Sequence, residues 1–128
     1  MSNLYIQTYG CQMNTYDSER LVDTMQKSHN MQTVTDPENA DLLIVNTCSI
    51  REKAQEKTFS EIGRWRKLKE KNKNIVIAVV GCVASQEGKQ IIRRAPFVDI
   101  VLGPQTLHKM PEMYTAIKEK KQQIVDVS

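Results

Sequence analysis

Residues 75–82 read Ile-Val-Ile-Ala-Val-Val-Gly-Cys, and this stretch sets the fold class. Six apolar residues in a row, five of them β-branched, have the length and composition of a strand. No polar residue alternates with them, so the strand is expected to be covered on both faces, as central strands of parallel sheets are. It falls far short of the roughly 20 apolar residues that a membrane helix needs, and no longer apolar run occurs in the chain. After Gly81-Cys82 the pattern turns helical over 85–95, where Pro96 stops it.

The same strand-then-helix rhythm extends in both directions. Further strands are expected at 4–8, 32–35, 42–46, 98–102 and 124–127. Helices are expected at 18–28, with Leu21, Val22 and Met25 inward; at about 50–71, with Phe59, Ile62, Trp65 and Leu68 inward; and at 107–120, with Met110, Met113, Tyr114 and Ile117 on one stripe. The alternation predicts a three-layer, flavodoxin-like α/β domain, a mostly parallel sheet of five to six strands with helices on both faces. The segment Asp36-Pro37-Glu38-Asn39-Ala40 is short for a full crossover helix, so the order of the second strand is not fixed by the sequence.

A chain of 128 residues, 40% hydrophobic and 26% charged, suits one globular domain. A net charge of +3 is compatible with nucleic acid without arguing for it. The amino terminus has neither a basic n-region nor an apolar h-region, so a cytoplasmic protein is expected. The sequence stops just after the last expected strand, as a domain cut from a longer protein would and as an intact small protein would equally.

Three cysteines in such a chain point away from a disulfide framework and toward free thiols, catalysis or metal. Cys11, Cys48 and Cys82 each follow an expected strand and precede an expected helix. Their spacings of 37 and 34 residues exclude a local metal clip but match about one βαβ unit each. Open parallel sheets bind ligands beyond the carboxyl ends of their strands, at the switch in strand order. In a 2-1-3-4-5 order the three cysteines share that crevice. Helix amino termini there favour thiolate, and thiolates select zinc, copper(I) or iron–sulfur clusters. Three protein ligands leave one coordination position open. A lone strand-end cysteine is more often a small buried hydrophobe, and it is the equivalence of all three positions that favours one shared site. Zinc with His29 or His108 as fourth ligand is the competing metal reading, but neither histidine is expected at a strand end.

At these residues the sequence resembles the amino-terminal domain of the methylthiotransferases, a branch of the radical S-adenosylmethionine enzymes. The motifs are Thr8-Tyr9-Gly10-Cys11-Gln12-Met13-Asn14 with Asp17-Ser18-Glu19, Asn46-Thr47-Cys48-Ser49-Ile50-Arg51-Glu52-Lys53-Ala54, Gly81-Cys82-Val83-Ala84-Ser85-Gln86, and Val98-Asp99-Ile100-Val101-Leu102-Gly103-Pro104-Gln105. The first two look like the branch of the family acting on tRNA, which adds a methylthio group to C2 of N6-isopentenyladenosine at position 37, beside the anticodon. The resemblance implies that Cys11, Cys48 and Cys82 hold an auxiliary four-iron–four-sulfur cluster whose open iron carries the donated sulfur. It implies a tRNA anticodon stem-loop as partner, engaged by the full-length enzyme, and a monomer with no membrane association. The family's Cys-x3-Cys-x2-Cys motif, for a second such cluster and S-adenosylmethionine, does not occur in residues 1–128. The radical S-adenosylmethionine domain and the carboxy-terminal RNA-binding domain are likewise absent, so this fragment alone is expected to be inactive.

Gln12, Asn14, Ser49 and Arg51 flank the first two cysteines and are candidates for touching cluster or substrate. Helix capping is the plainer role for Asn14 and Asp17, and for Ser49 with Glu52 as a capping box. Residues 51–73 hold nine of the 18 basic residues against four acids. Such a run is usually a solvated helix face, and a phosphate-facing surface is the sharper reading. Two rival readings remain. A stand-alone thiol or persulfide redox protein would carry no iron. A flavodoxin-like nucleotide module would have incidental cysteines, but no Gly-x-Gly-x-x-Gly follows the first strand.

Overall fold

A computed structural model describes residues 2–10, 12–47, 52–81, 89–120 and 124–126. Six parallel strands form one sheet: β1 (Asn3–Tyr9), β2 (Gln32–Thr33), β3 (Leu42–Thr47), β4 (Val76–Val80), β5 (Ile100–Leu102) and β6 (Ile124–Asp126). Their order is β2-β1-β3-β4-β5-β6, the flavodoxin-like order extended by one strand, with the switch between β1 and β3. Every residue of β3 and β4 is buried, which is why 42–45 and 76–80 read as unbroken apolar runs.

Alternation along the strands divides the core into two layers. Leu4, Leu42, Ile44, Val76, Ala78, Val80, Ile100 and Leu102 face helix α1 (Gln12–His29), through Leu21 and Met25, and helix α4 (Met110–Lys120), through Met110, Tyr114 and Ile117. Leu43, Val45, Ile77, Val79 and Val101 face helix α2 (Glu52–Lys71), through Ile62 and Trp65, and helix α3, described over 89–94, through Ile91. Trp65 is 1% exposed and meets Tyr5 edge-on, ring centroids 6.0 Å apart. The layers are also tied by polar contacts. Asp99 accepts from the Ile77 backbone N–H at 2.9 Å and pairs with Lys69 of α2, whose ammonium also donates to the Phe97 carbonyl at 3.2 Å.

Three local features differ from the sequence expectations. Helix α1 begins at Gln12, about two turns before residue 18, because Asn14 is held by a partner on the sheet rather than acting as a cap. Strand β2 has two residues where four were expected and pairs only with Asn3 and Leu4. It never climbs toward the carboxyl edge, so the return to β3 needs only the 3₁₀ turn Pro37–Asn39, capped by Asp36 accepting from the Glu38 N–H at 3.0 Å. The crossover is short because little distance is crossed. The last helix is preceded by a separate 3₁₀ helix, Pro104–Lys109, with proline in its first turn.

The phenols of Tyr5, Tyr9 and Tyr114 are all raised above their ordinary 10.0, in each case first by burial. Nearby carboxylates, Glu61 for Tyr5 and Tyr9 and Asp41 for Tyr114, add to the shift. The folded state therefore holds these protons more tightly than the unfolded chain, and the stability so gained is present below pH 10 and lost as pH rises through the folded values. Urea midpoints are expected to stay level up to about pH 9 and to fall above pH 10. Ile44→Ala, at a fully buried strand centre, is expected to lower unfolding free energy by about 2–5 kcal/mol in the same assay.

Candidate functional site at the carboxyl edge of the sheet

Strands β1, β3 and β4 are neighbours with β3 in the middle, and they end almost level. Tyr9 stands opposite Thr47, and Asn46 opposite Val80. The next residues in the chain are Gly10-Cys11 after β1, Cys48 after β3 and Gly81-Cys82 after β4. Cys11, Cys48 and Cys82 lie outside the described residues, as do Ser49 and Arg51. Their immediate predecessors Gly10, Thr47 and Gly81 are described, and these share one edge.

Two of the three exits require glycine. Gly10 and Gly81 have φ of 119° and 110°, a region that side chains with a Cβ rarely enter. At Gly81 there is also no room. A Cβ there would overlap the Thr47 carbonyl oxygen and stand 2.8 Å from Asn46 Oδ1. The end of β4 is thus pressed against the end of β3, while the Gly81 N–H donates to the Leu102 carbonyl at 3.1 Å and fixes β4 to β5.

Below this edge lies a buried polar network. Asn46, 0% exposed on β3, donates through Nδ2 to the Asn14 carbonyl and to Ser18 Oγ, both at 3.0 Å. Asn14 Nδ2 donates to Asn46 Oδ1 at 3.0 Å, and Ser18 Oγ shares a 2.7 Å hydrogen bond with Thr8 Oγ1 on β1. Four side chains from α1, β1 and β3 therefore clamp the start of α1 onto the two strands that precede Cys11 and Cys48. Asn14 is a clamp residue, 4% exposed, and the capping role expected for it is replaced by this pairing. Gln12, the first residue of α1, is exposed. Asp17, the other expected cap, lies in the second turn of α1 and lines a cavity of about 170 Å³ with Arg20 and His108.

The sequence reading gave no role to Asn46, Ser18 or Thr8. A signal for Asn46 exists: it is the first polar residue after four apolar ones in a fully buried strand, where a polar group needs a partner. Its partners are 32 and 28 residues away and have no local signature. His29 closes α1 at the opposite end of the helix, about 25 Å from Gln12, and is bonded to Ser28 and Thr115. That distance removes it as a fourth ligand at this edge. Among the described residues no cluster of three His, Cys, Asp or Glu side chains gathers elsewhere, and no helix is long and apolar enough to cross a membrane.

Gly81→Ala is expected to lower unfolding free energy by about 2–5 kcal/mol, because left-handed strain and overpacking add. Asn46→Ala is expected to lower it by about 2–4 kcal/mol, through lost and orphaned buried hydrogen bonds. Urea denaturation followed by circular dichroism measures both.

The family described as "Uncharacterized protein family UPF0004" matches residues 3–103, from the first residue of β1 to the residue after β5. The chain is 58% identical over 125 residues to the tRNA-2-methylthio-N(6)-dimethylallyladenosine synthase of Hahella chejuensis, covering 98% of this chain and 28% of that protein. Proteins of the same name from Coxiella burnetii and Acidithiobacillus ferrooxidans are 53% and 56% identical over 128 residues, covering all of this chain and 29% and 28% of theirs. The chain therefore spans less than a third of the length of these relatives. With the four motifs, the parallel sheet and the match over 3–103 in agreement, the chain belongs to the UPF0004 family, the amino-terminal domain of the methylthiotransferases.

Proposed function

We propose that Cys11, Cys48 and Cys82 hold the auxiliary four-iron–four-sulfur cluster of a tRNA methylthiotransferase. The observation that carries this reading is the level, side-by-side ending of β1, β3 and β4, each followed within two residues by a cysteine. Neighbouring strands are about 4.8 Å apart. The residues just before the three cysteines thus span about two strand spacings, and one crevice at that edge would serve all three thiols.

The donor set suits the group. Thiolates favour iron–sulfur clusters, and a set of three leaves one iron without a protein ligand. Helix α1 starts at the residue after Cys11, so its amino-terminal partial charge favours the thiolate there. Gly10 and Gly81 place no side chain beside a bulky group. The Asn14–Ser18–Asn46–Thr8 clamp holds the start of α1, and with it the chain on either side of Cys11, against the sheet. Gln12, Ser49 and Arg51 flank the cysteines and are the candidates for contact with cluster or substrate.

When bound, the cluster would supply the sulfur of the methylthio group placed on C2 of N6-isopentenyladenosine at tRNA position 37; the relatives' name, tRNA-2-methylthio-N(6)-dimethylallyladenosine synthase, supports the tRNA product without naming the sulfur source. This domain's part is to hold that sulfur source at an open sheet edge. Cleavage of S-adenosylmethionine, with its own cluster, and most of the tRNA recognition are assigned to the length of the relatives that this chain does not span.

Anaerobic reconstitution with iron and sulfide tests the reading. The wild-type chain is expected to retain about four irons, with the Mössbauer signature of one cluster. Cys11→Ala, Cys48→Ala and Cys82→Ala are each expected to lose it while keeping the far-ultraviolet circular dichroism of the apo domain. Iron retention unchanged by loss of Cys82 defeats the shared-cluster assignment, and a wild-type chain holding a disulfide or persulfide without iron favours the redox reading.

A further inference from the structure

The outer surface between α2 and α3, remote from the cysteine edge, carries a groove of about 460 Å³ lined by Phe59, Gly63, Arg66, Lys67, Arg94 and Phe97. Arg94 lies over the Phe59 ring, its guanidinium carbon 4.1 Å from the centroid. A guanidinium placed over a ring face in this way is held by the cation–π attraction, and its N–H groups remain able to donate to an anion. Arg66 is engaged by Glu70 at 3.2 Å, whereas Lys67 and Arg94 join no ion pair among the described residues. Three cations against Glu70 leave the groove a net charge of +2.

Gly63 is a second, independent observation. It sits in the interior of α2, where glycine is the least favourable residue apart from proline. Its backbone is ordinary helix, and a Cβ on it would meet nothing within 4 Å. Packing inside the domain therefore gives no reason for glycine here. A reason that remains is an occupant of the groove whose own backbone must approach the helix closely.

We propose that this groove takes the phosphodiester backbone of an RNA stem, with Lys67 and Arg94 on the phosphates and Gly63 opening the floor to the ribose–phosphate chain. The inference rests on the tRNA reading above and adds a second contact surface to it. Gly63 lies eleven residues along α2 from Glu52, about 17 Å from the helix start near the Cys48 edge. That separation suits a base-paired stem lying along α2 while its loop reaches the cysteine edge.

Fluorescence anisotropy of a labelled RNA hairpin, titrated with the full chain over a range of salt concentrations, tests this. Wild-type affinity is expected to fall linearly on a log–log plot against salt. Lys67→Ala and Arg94→Ala are each expected to reduce that slope by about one and to weaken binding roughly tenfold at low salt. Gly63→Glu is expected to abolish hairpin binding with the helical circular dichroism unchanged. Gly63→Ala is expected to raise the thermal midpoint while weakening binding. Variants that bind as the wild type does overturn the groove and leave the tRNA reading standing. A hairpin that binds without salt dependence, or a single strand of the same composition that binds as tightly, overturns the stem-backbone assignment. No hairpin binding by the wild type at any salt overturns both the groove and the RNA partner for this domain, with iron retention still reporting separately on the cysteines.

Discussion

The end of β4 lies so close to the end of β3 that position 81 has no space for a single carbon, and the candidate site is built on that approach. Because Gly81 packs on the Thr47 carbonyl and the Asn46 amide, the two strands stop at one level. Tyr9 opposite Thr47 extends the same level to β1. Gly10, Thr47 and Gly81, the residues that precede Cys11, Cys48 and Cys82 in the chain, are then brought to one edge by register alone. A sheet with β3 displaced from between β1 and β4 would scatter them. Gly10 and Gly81, both at positive φ, end β1 and β4 with a backbone turn that a residue with a Cβ rarely makes.

A second constraint secures the edge from beneath. Asn46 is a fully buried amide in the middle of the sheet, a placement that costs free energy unless its hydrogen bonds are met. It meets them with Asn14 and Ser18 of α1, and Ser18 in turn reaches Thr8 of β1. An apolar residue there would pack against α1 without specifying where along the strand the helix begins. The directional network does specify it, and so fixes the first turn that follows Cys11. Burial of Leu21 and Met25 holds α1 to the sheet, while the amide network sets its starting point.

The sheet and its two helical layers were legible because burial on both faces writes itself as unbroken apolar runs, at 42–45 and 75–80, and because helices facing a core repeat their apolar residues every three to four positions. Cys11, Cys48 and Cys82 read as a set because each follows a strand within two residues, at the ends of β1, β3 and β4. The start of α1 was not, since Asn14, Asp17 and Ser18 are the residue types that cap helices, and only a partner 32 residues away on β3 shows that Asn14 is doing something else. The length of β2 escaped for a related reason: its edge position and its two ladder partners are properties of the sheet, with no trace in Gln32 and Thr33 themselves. The charge run at 51–73 was visible as a run but not as an arrangement. Glu61 pairs with Arg64, Glu70 with Arg66 and Asp99 with Lys69, and only the folded chain shows which cations these acids leave over.

Two glycines in this domain answer opposite questions. At Gly81 the fold forbids a side chain, so its presence follows from the packing of β3 and β4. At Gly63 the fold permits one and would gain about 1 kcal/mol of helix stability from alanine. Surface ion pairs along the same helix contribute little, so they do not account for a weakened position among so many charges. Stability alone explains Gly81 and fails to explain Gly63. What distinguishes Gly63 is its neighbourhood: Arg94 held over the Phe59 ring, and Lys67 joined to no carboxylate among the described residues. A helix that tolerates a weak point beside uncompensated positive charge is shaped by something outside its own fold, and a polyanion lying against it satisfies both features at once.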